Sequence, residues 1–269
     1  MELKIPPPRW WRFELTSVLL ILTAAAVAAS AGVLRGSGRE LDHWENLTRF
    51  ITRFIPPDLS VLPEIGTGII ETARIAVIAT VLAVCISMPL AALAARRLSP
   101  PWLAWPARLL LNVIRTVPAL VWALFGVALV GANTLAGVIA LTFYSVGYLG
   151  KLFADACDSV DPGAWRALRQ LGADPVQAAL HGFWPEIRPH LWSHSLWMAE
   201  YNLRSASIIG YVGAGGLGVL LHTYQEYGRW DRVATVLLCL LVVVVVLDVL
   251  GDRVRGELTG LIKSEKRSR

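Results

Sequence analysis

The stretch DPGAWRALRQLGADPVQAALHGFWPEIRP, Asp161–Pro189, is a polar and heavily punctuated segment inside an apolar chain. Asp161 before Pro162 predicts a helix start, with a carboxylate cap and a proline whose missing N–H would be unpaired anyway. Trp165, Leu168 and Leu171 then recur on one face, beside Arg166 and Arg169. Gly172 stands where a left-handed residue ends a helix. Asp174-Pro175 repeats the start, and Gln177 sits at the capping-box position. Val176, Ala179, Leu180 and Phe183 form a second apolar stripe, which Gly182 and Pro185 are expected to close, starting the next element. The segment thus reads as two short amphipathic helices around a glycine turn, each with an apolar face needing cover.

On both sides of it lie apolar runs. The 269 residues are 55% hydrophobic and only 17% charged, a composition of polytopic membrane proteins. Runs near the 20 or so residues that a spanning helix requires fall at about 17–34, 66–95, 113–130, 133–154, 191–221 and 233–250. The expectation is an all-α fold of six transmembrane helices in a single domain over 1–269, with 161–189 between the fourth and fifth. The first run resembles a signal peptide, but an uncleaved anchor helix is expected. LDHWENLTRFITRFI, after the first run, has helical periodicity and predicts an amphipathic helix at the membrane interface.

Six spans put both termini on one side. That side, with the second-to-third and fourth-to-fifth connections, collects seventeen lysines and arginines; the other side has six, Arg35, Arg39, Arg49, Arg53, Arg229 and Arg232. The positive-inside rule places both termini and Asp161–Pro189 in the cytoplasm. Trp10, Trp11, Trp102, Trp105 and Trp230 fall near the predicted interfaces. No basic block suggests nucleic acid. Cys85, Cys157 and Cys239 lack metal or redox spacing and read as small buried residues.

Gly172 and Pro185, thirteen apart, resemble the cytoplasmic-loop hallmark of ABC importer permeases. Arg166, Ala167 and Leu168 occupy that loop's EAA triplet, with arginine in place of glutamate. AEYNLRSASIIGYVGAGGLG, Ala199–Gly218, resembles the fifth-helix signature of phosphonate/phosphite importer permeases. Glu200, Asn202, Arg204, Ser205, Gly210, Gly213, Gly215, Gly216 and Gly218 stand at the matching positions. IRTVPALVWALFGVALVG, Ile114–Gly131, resembles the third-helix motif, with Ala119 where family members often carry an acid. The resemblance runs from about Pro7 to Leu258. It implies a type I importer fold in the inner membrane and a dimer of permeases. It also implies two cytoplasmic ATP-binding subunits that hold ATP and magnesium, and a periplasmic binding protein that delivers the ligand. Trp165–Leu168, Gly172, Asp174, Pro175 and Pro185 would then couple to the ATPase. The fifth-helix residues and Arg115 would line the translocation path or its gate.

Charges within spans are costly and should face the bundle in pairs. Glu200 and Arg204 have the favourable i,i+4 order and read as a structural pair or as path residues. Glu71 and Arg74, with similar spacing, lie on the path or at the interface. Asp248 is expected at the interface. Gly213–Gly218 matches G-x-G-x-x-G formally, but no strand precedes it, so a hinge or gate is the better reading. His190 and His194 share a helix face without an acidic or sulfur partner at fitting spacing, so no metal is expected. No P-loop lysine motif occurs, and no acid–base or nucleophile set converges. An importer for another small solute, or a membrane scaffold without ATPase partners, are the competing readings.

Overall fold

The computed structural model describes residues 10–32 and 42–267, and their side chains except those of 10–15, 43, 255 and 257–267. All the regular structure among these residues is helical. The charges counted at the two ends, Lys4, Arg9 and Arg12 and those from Arg255 onward, lie outside the described side chains, as do Arg35 and Arg39. The chain divides into two compact units between Ile51 and Thr52.

The first unit contains α1, Trp10–Ser30, and most of α2, His43–Arg53. The described apolar part of α1 is Thr16–Ser30; the last residues of the first predicted run are not described. α2 is the amphipathic helix expected from its periodicity. Asp42 accepts hydrogen bonds from the Trp44 and Glu45 amides, both at 3.1 Å, and Glu45 pairs with Arg49 one turn on.

The second unit is a helix bundle. α3 spans Leu62–Ala94, α6 spans Thr134–Ser159 and α11 spans Trp230–Arg267. The apolar stretches 59–94, Thr134–Ser159 and Trp230–Val254 are long enough to cross a bilayer. The third predicted run is not one helix. α4, Pro101–Thr116, and α5, Ala119–Val130, meet at 88°. Pro118 has no N–H to continue the ladder and forces Val117 out of helical conformation, to φ −82° and ψ 120°. Thus α4 starts twelve residues before the predicted 113, and Arg115 lies at its end rather than at the start of a span. The fifth run is also broken. α9, Trp184–Ile209, ends in a 3-10 turn at Gly210–Val212, and α10, Leu217–Glu226, follows at 41°. Counting each bent pair as one span gives up to five among the described residues.

α6 is the most enclosed of these helices and packs on α3, α4, α5 and α9. Asn133 caps it, accepting from the Leu135 and Ala136 amides. At one end of the bundle Arg108 reaches Asp158 (2.5 Å) and the Ala94 carbonyl (2.7 Å), and Arg97 donates to Asp158 and the Val160 carbonyl. This clamp joins the end of α3 and the start of α4 to the end of α6. At the other end Asp58 accepts from Arg232 (3.1 Å), and its carbonyl accepts from Thr235 (2.9 Å). Tyr224 donates to Glu64 (2.6 Å) beneath the Arg232 guanidinium.

The Ser60 hydroxyl and amide, helped by Arg232, hold the Asp58 carboxyl below its ordinary range. A depressed carboxylate pKa contributes stability that is present above the unfolded pKa and lost as pH falls through the folded one. Thermal unfolding in detergent should therefore separate wild type from Asp58→Asn at neutral pH. The difference should begin to shrink below about pH 4 and vanish only once pH falls below the depressed folded-state pKa.

Candidate functional site

Three features concentrate the polar chemistry. The first is the punctuated segment. α7 runs Gly163–Gln170. Its formal cap is Pro162, one residue later than predicted, while the Asp161 carboxylate accepts from the Gly163 amide (3.1 Å). Gly172 adopts φ +89°, which closes the turn. α8 begins at Pro175, and Asp174 and Gln177 form a complete capping box. The second helix does not close at Gly182 and Pro185, however. It passes through a π turn, Ala179–Phe183, into α9, and Pro185 is the second residue of that next helix. Gly182 is a contact rather than a stop. A Cβ there would lie 2.8 Å from the backbone N and Cα of Trp165, so glycine lets the π turn press against α7.

The outer face of this segment is apolar and uncovered within the chain. Leu171 is 85% exposed, and Val176 and Leu180 are more than half exposed. Arg169 donates to the Ala173 carbonyl across the turn (2.8 Å) and stiffens it. Arg166 and Leu168 lie on α7, Leu168 half-buried and Ala167 beside it.

The second feature is a buried hub. Asn202 is fully enclosed. It accepts from Ser145 of α6 (2.9 Å) and donates to Thr80 of α3 (3.0 Å), which donates to the Ala76 carbonyl (2.7 Å). Three helices are thereby tied at one level. Tyr144 and Tyr201 stack and share a hydrogen bond of 2.7 Å just alongside. Ser205 is buried on the same helix.

The third is the glycine turn between α9 and α10. Gly213, Gly215 and Gly216 all have positive φ, which only glycine adopts without strain. Gly210 and Gly218 face each other so closely that a Cβ on either would come within 2.3 Å of a carbonyl oxygen. The turn is seated on Thr72 of α3, whose hydroxyl accepts from the Leu217 amide (2.9 Å) and donates to the Gly68 carbonyl (2.8 Å). It also leans on Gly137 of α6 and on Thr134.

The charges are arranged differently from the expected helix pair. Arg204 reaches Asp248 of α11 (3.2 Å), not Glu200. Spacing along one helix pointed to Glu200; a residue on a neighbouring helix supplies the partner. Glu200 borders an apolar cavity of about 250 Å³ that α9 and α11 line. The Arg115 guanidinium lies over the Tyr148 ring, 5.4 Å from its centre. Glu71 and Arg74 line a larger cavity on α3, described below. No group of three or more metal-ligating side chains converges among the described residues. Like the Asn202–Thr80 and Leu217–Thr72 contacts, the Arg204–Asp248 pair could not be found from spacing, because nothing in spacing links residues 44 apart.

A cap-and-turn knob, a hub joining α3, α6 and α9, and a glycine turn in a broken span are the features that similarity to known proteins places in a family. Residues 87–258 match the family model described as the binding-protein-dependent transport system inner membrane component, and the chain belongs to that family. It is 33% identical over 247 residues to the phosphite transport system permease protein PtxC of Stutzerimonas stutzeri, covering 91% of this chain and 90% of that one. It is 36% identical over 209 residues to the phosphate-import permease protein PhnE of Mycolicibacterium smegmatis, covering 77% of this chain and 39% of that one. In fold it is similar to a chain of the MetNI methionine ABC transporter, with TM-score 0.66 and 22% identity, over 75% of this chain and 99% of that chain. It is thus a multi-pass permease subunit of an ABC importer, whose ATPase is a separate chain.

Asn202→Leu should strand the Ser145 hydroxyl in the bundle while Thr80 keeps its Ala76 partner. The expected cost is about 1–3 kcal/mol, read as a lower unfolding temperature in detergent. Gly218→Ala, which drives a methyl into the Ser207 carbonyl, should lower it further.

Proposed function

We propose that this chain is the permease of an ATP-driven importer for phosphite, a phosphonate or a related small phosphorus oxyanion. The observation that carries the coupling half of this reading is the knob itself: α7, the Gly172 turn and the capped start of α8, with an apolar face that its own chain leaves uncovered. An amphipathic helix face of this kind seats in a groove of a partner. The partner is a cytoplasmic ATP-binding subunit, which holds ATP and magnesium. The names of the similar permeases support the ligand class, and the Ala199–Gly218 signature supports it independently.

The mechanism follows from continuity. From Pro175 through the π turn to Ile209 the helix is unbroken, about 50 Å long at 1.5 Å per residue. Movement of the seated knob, driven by closure of two ATPases on ATP, passes along this rod to the Asn202 hub and the glycine turn. The turn gates the path toward a periplasmic binding protein that has delivered the ligand. Six spans, both termini in the cytoplasm and a second identical permease complete the assembly. The seventeen-to-six charge asymmetry supports the orientation.

Leu171→Asp leaves the bundle untouched, because Leu171 is almost fully exposed. In proteoliposomes holding the permease, ATPase and binding protein, it should cut co-purification of the ATPase and phosphite uptake by roughly tenfold or more, as loss of an interface anchor does. Gly172→Val should uncouple hydrolysis from uptake, since valine resists positive φ. Normal uptake at normal expression in both variants would sink the coupling role. Uptake of none of phosphite, phosphonates, hypophosphite and phosphate by wild type would sink the ligand class.

A further inference from the structure

Most of the 25 lysines and arginines lie at helix ends or in connections. Arg74 does not. It sits about three turns into α3, a helix of about nine turns, on an apolar span. Thr67, Ile70, Arg74, Ile78, Val81 and Cys85 form an exposed stripe on that helix. Arg74 makes no ion pair or hydrogen bond among the described residues, and Glu71, one turn away, makes none either. An unpaired guanidinium at that depth is expensive, and such residues mark ion and substrate pathways.

Its surroundings fit an anion. Glu71, Arg74, Thr67 and Thr134 are the polar residues of a cavity of about 800 Å³, whose other walls are Ile70, Ile75, Ile78, Leu82, Leu135 and Val138. The Thr134 hydroxyl has no partner among the described residues, so it is available to donate. The glycine turn borders the cavity: a Cβ at Gly215 would lie 2.7 Å from the Thr134 methyl and 3.1 Å from Glu71 Oε1.

We propose that Arg74, with the Thr134 hydroxyl, is the oxyanion-contacting site of the transport path, a station that the ligand occupies between delivery and release. This deepens, and rests on, the reading of the chain as a phosphorus-oxyanion permease. Arg74 supplies the charge that draws the oxyanion from the delivering protein, in charge-assisted hydrogen bonds. Glu71 keeps the station weak, because a carboxylate beside the site repels the anion. Conduction needs a site favourable enough to enter and weak enough to leave.

The test uses the reconstituted transporter with its ATPase and binding protein, and phosphite as the probe. Arg74→Gln should lower uptake roughly tenfold or more, on the scale of a lost charge-assisted contact, while ATP hydrolysis stimulated by the binding protein persists. Arg74→Lys, which keeps the charge, should recover most of the uptake. Thr134→Val should raise KM for uptake severalfold with kcat little changed. Wild-type uptake by Arg74→Gln would overturn the proposal. So would equal loss of uptake and of stimulated hydrolysis in both Arg74 variants, which would make the arginine structural. If wild type itself takes up no phosphorus oxyanion, the functional reading fails and this one with it, a result distinct from a variant that transports normally.

Discussion

Close approach of helix backbones around α6 is the constraint on which the bundle depends. In hydrocarbon there is no hydrophobic drive to bring apolar helices together, so contact must come from packing of small residues and from interhelical hydrogen bonds. α6 supplies both. A Cβ at Gly147 would lie 2.8 Å from the Arg115 amide nitrogen, one at Gly150 would lie 2.5 Å from Leu111, and one at Gly137 would lie 2.5 Å from the Ala214 carbonyl. These three glycines admit α4 at two levels and the glycine turn at a third. The facing stretch of α3 is as small, with Ala76, Ala79, Ala83 and Ala91 all buried. Ser145 on α6 then holds Asn202, so one helix sets the distance between its neighbours and fixes their register.

That arrangement explains why local chemistry was legible in the sequence and long-range chemistry was not. The start at Asp174-Pro175, with Gln177 three residues on, is a hydrogen-bond pattern that closes within four residues, and the structure contains it. Gly172 likewise answers a purely local demand for positive φ. Gly182 and Pro185 carry the same punctuation, yet neither ends a helix. Pro185 lies in a helix that continues through the π turn ahead of it, and glycine at a contact is indistinguishable by spacing from glycine at a stop. Pro118 was readable in the other direction. Its effect on Val117 is local, and the apolar length of 113–130 masked it.

The site followed the same division. The motif residues of the fifth helix are close in space, but they do not do one job. Asn202 is a tie between helices, Arg204 anchors α11 through Asp248, and Gly210 and Gly218 exist to touch each other. A signature that reads as one unit therefore distributes over a hub, a brace and a turn. Arg74 belongs to no such signature, and only the cavity around it gives it meaning. Spacing could pair it with Glu71, but the two side chains share a wall without meeting.

The continuity of α8 with α9 decides how these parts work together. Had Gly182 and Pro185 ended the second short helix, the knob would hang on a flexible link, and motion at its apolar face would dissipate there. The π turn keeps the rod intact, and Gly182 lets it lie against the Trp165 backbone, so α7 and the rod move as one piece. The rod enters the bundle where Ile187 and Leu191 pack with Val160 and Phe153, near the Arg108–Asp158 clamp. It then passes the Asn202 hub before reaching the glycine turn. A displacement at the knob meets packed contacts along the way, and packed interiors transmit strain rather than absorb it. The turn at the far end is the softest part of that line. Three of its residues 213–216 are glycines, it is seated on Thr72 and Gly137, and a shift of α9 relative to α3 or α6 would unseat it. The rod thus ends at the proposed gate, beside Arg74 of α3, which has no ion pair among the described residues.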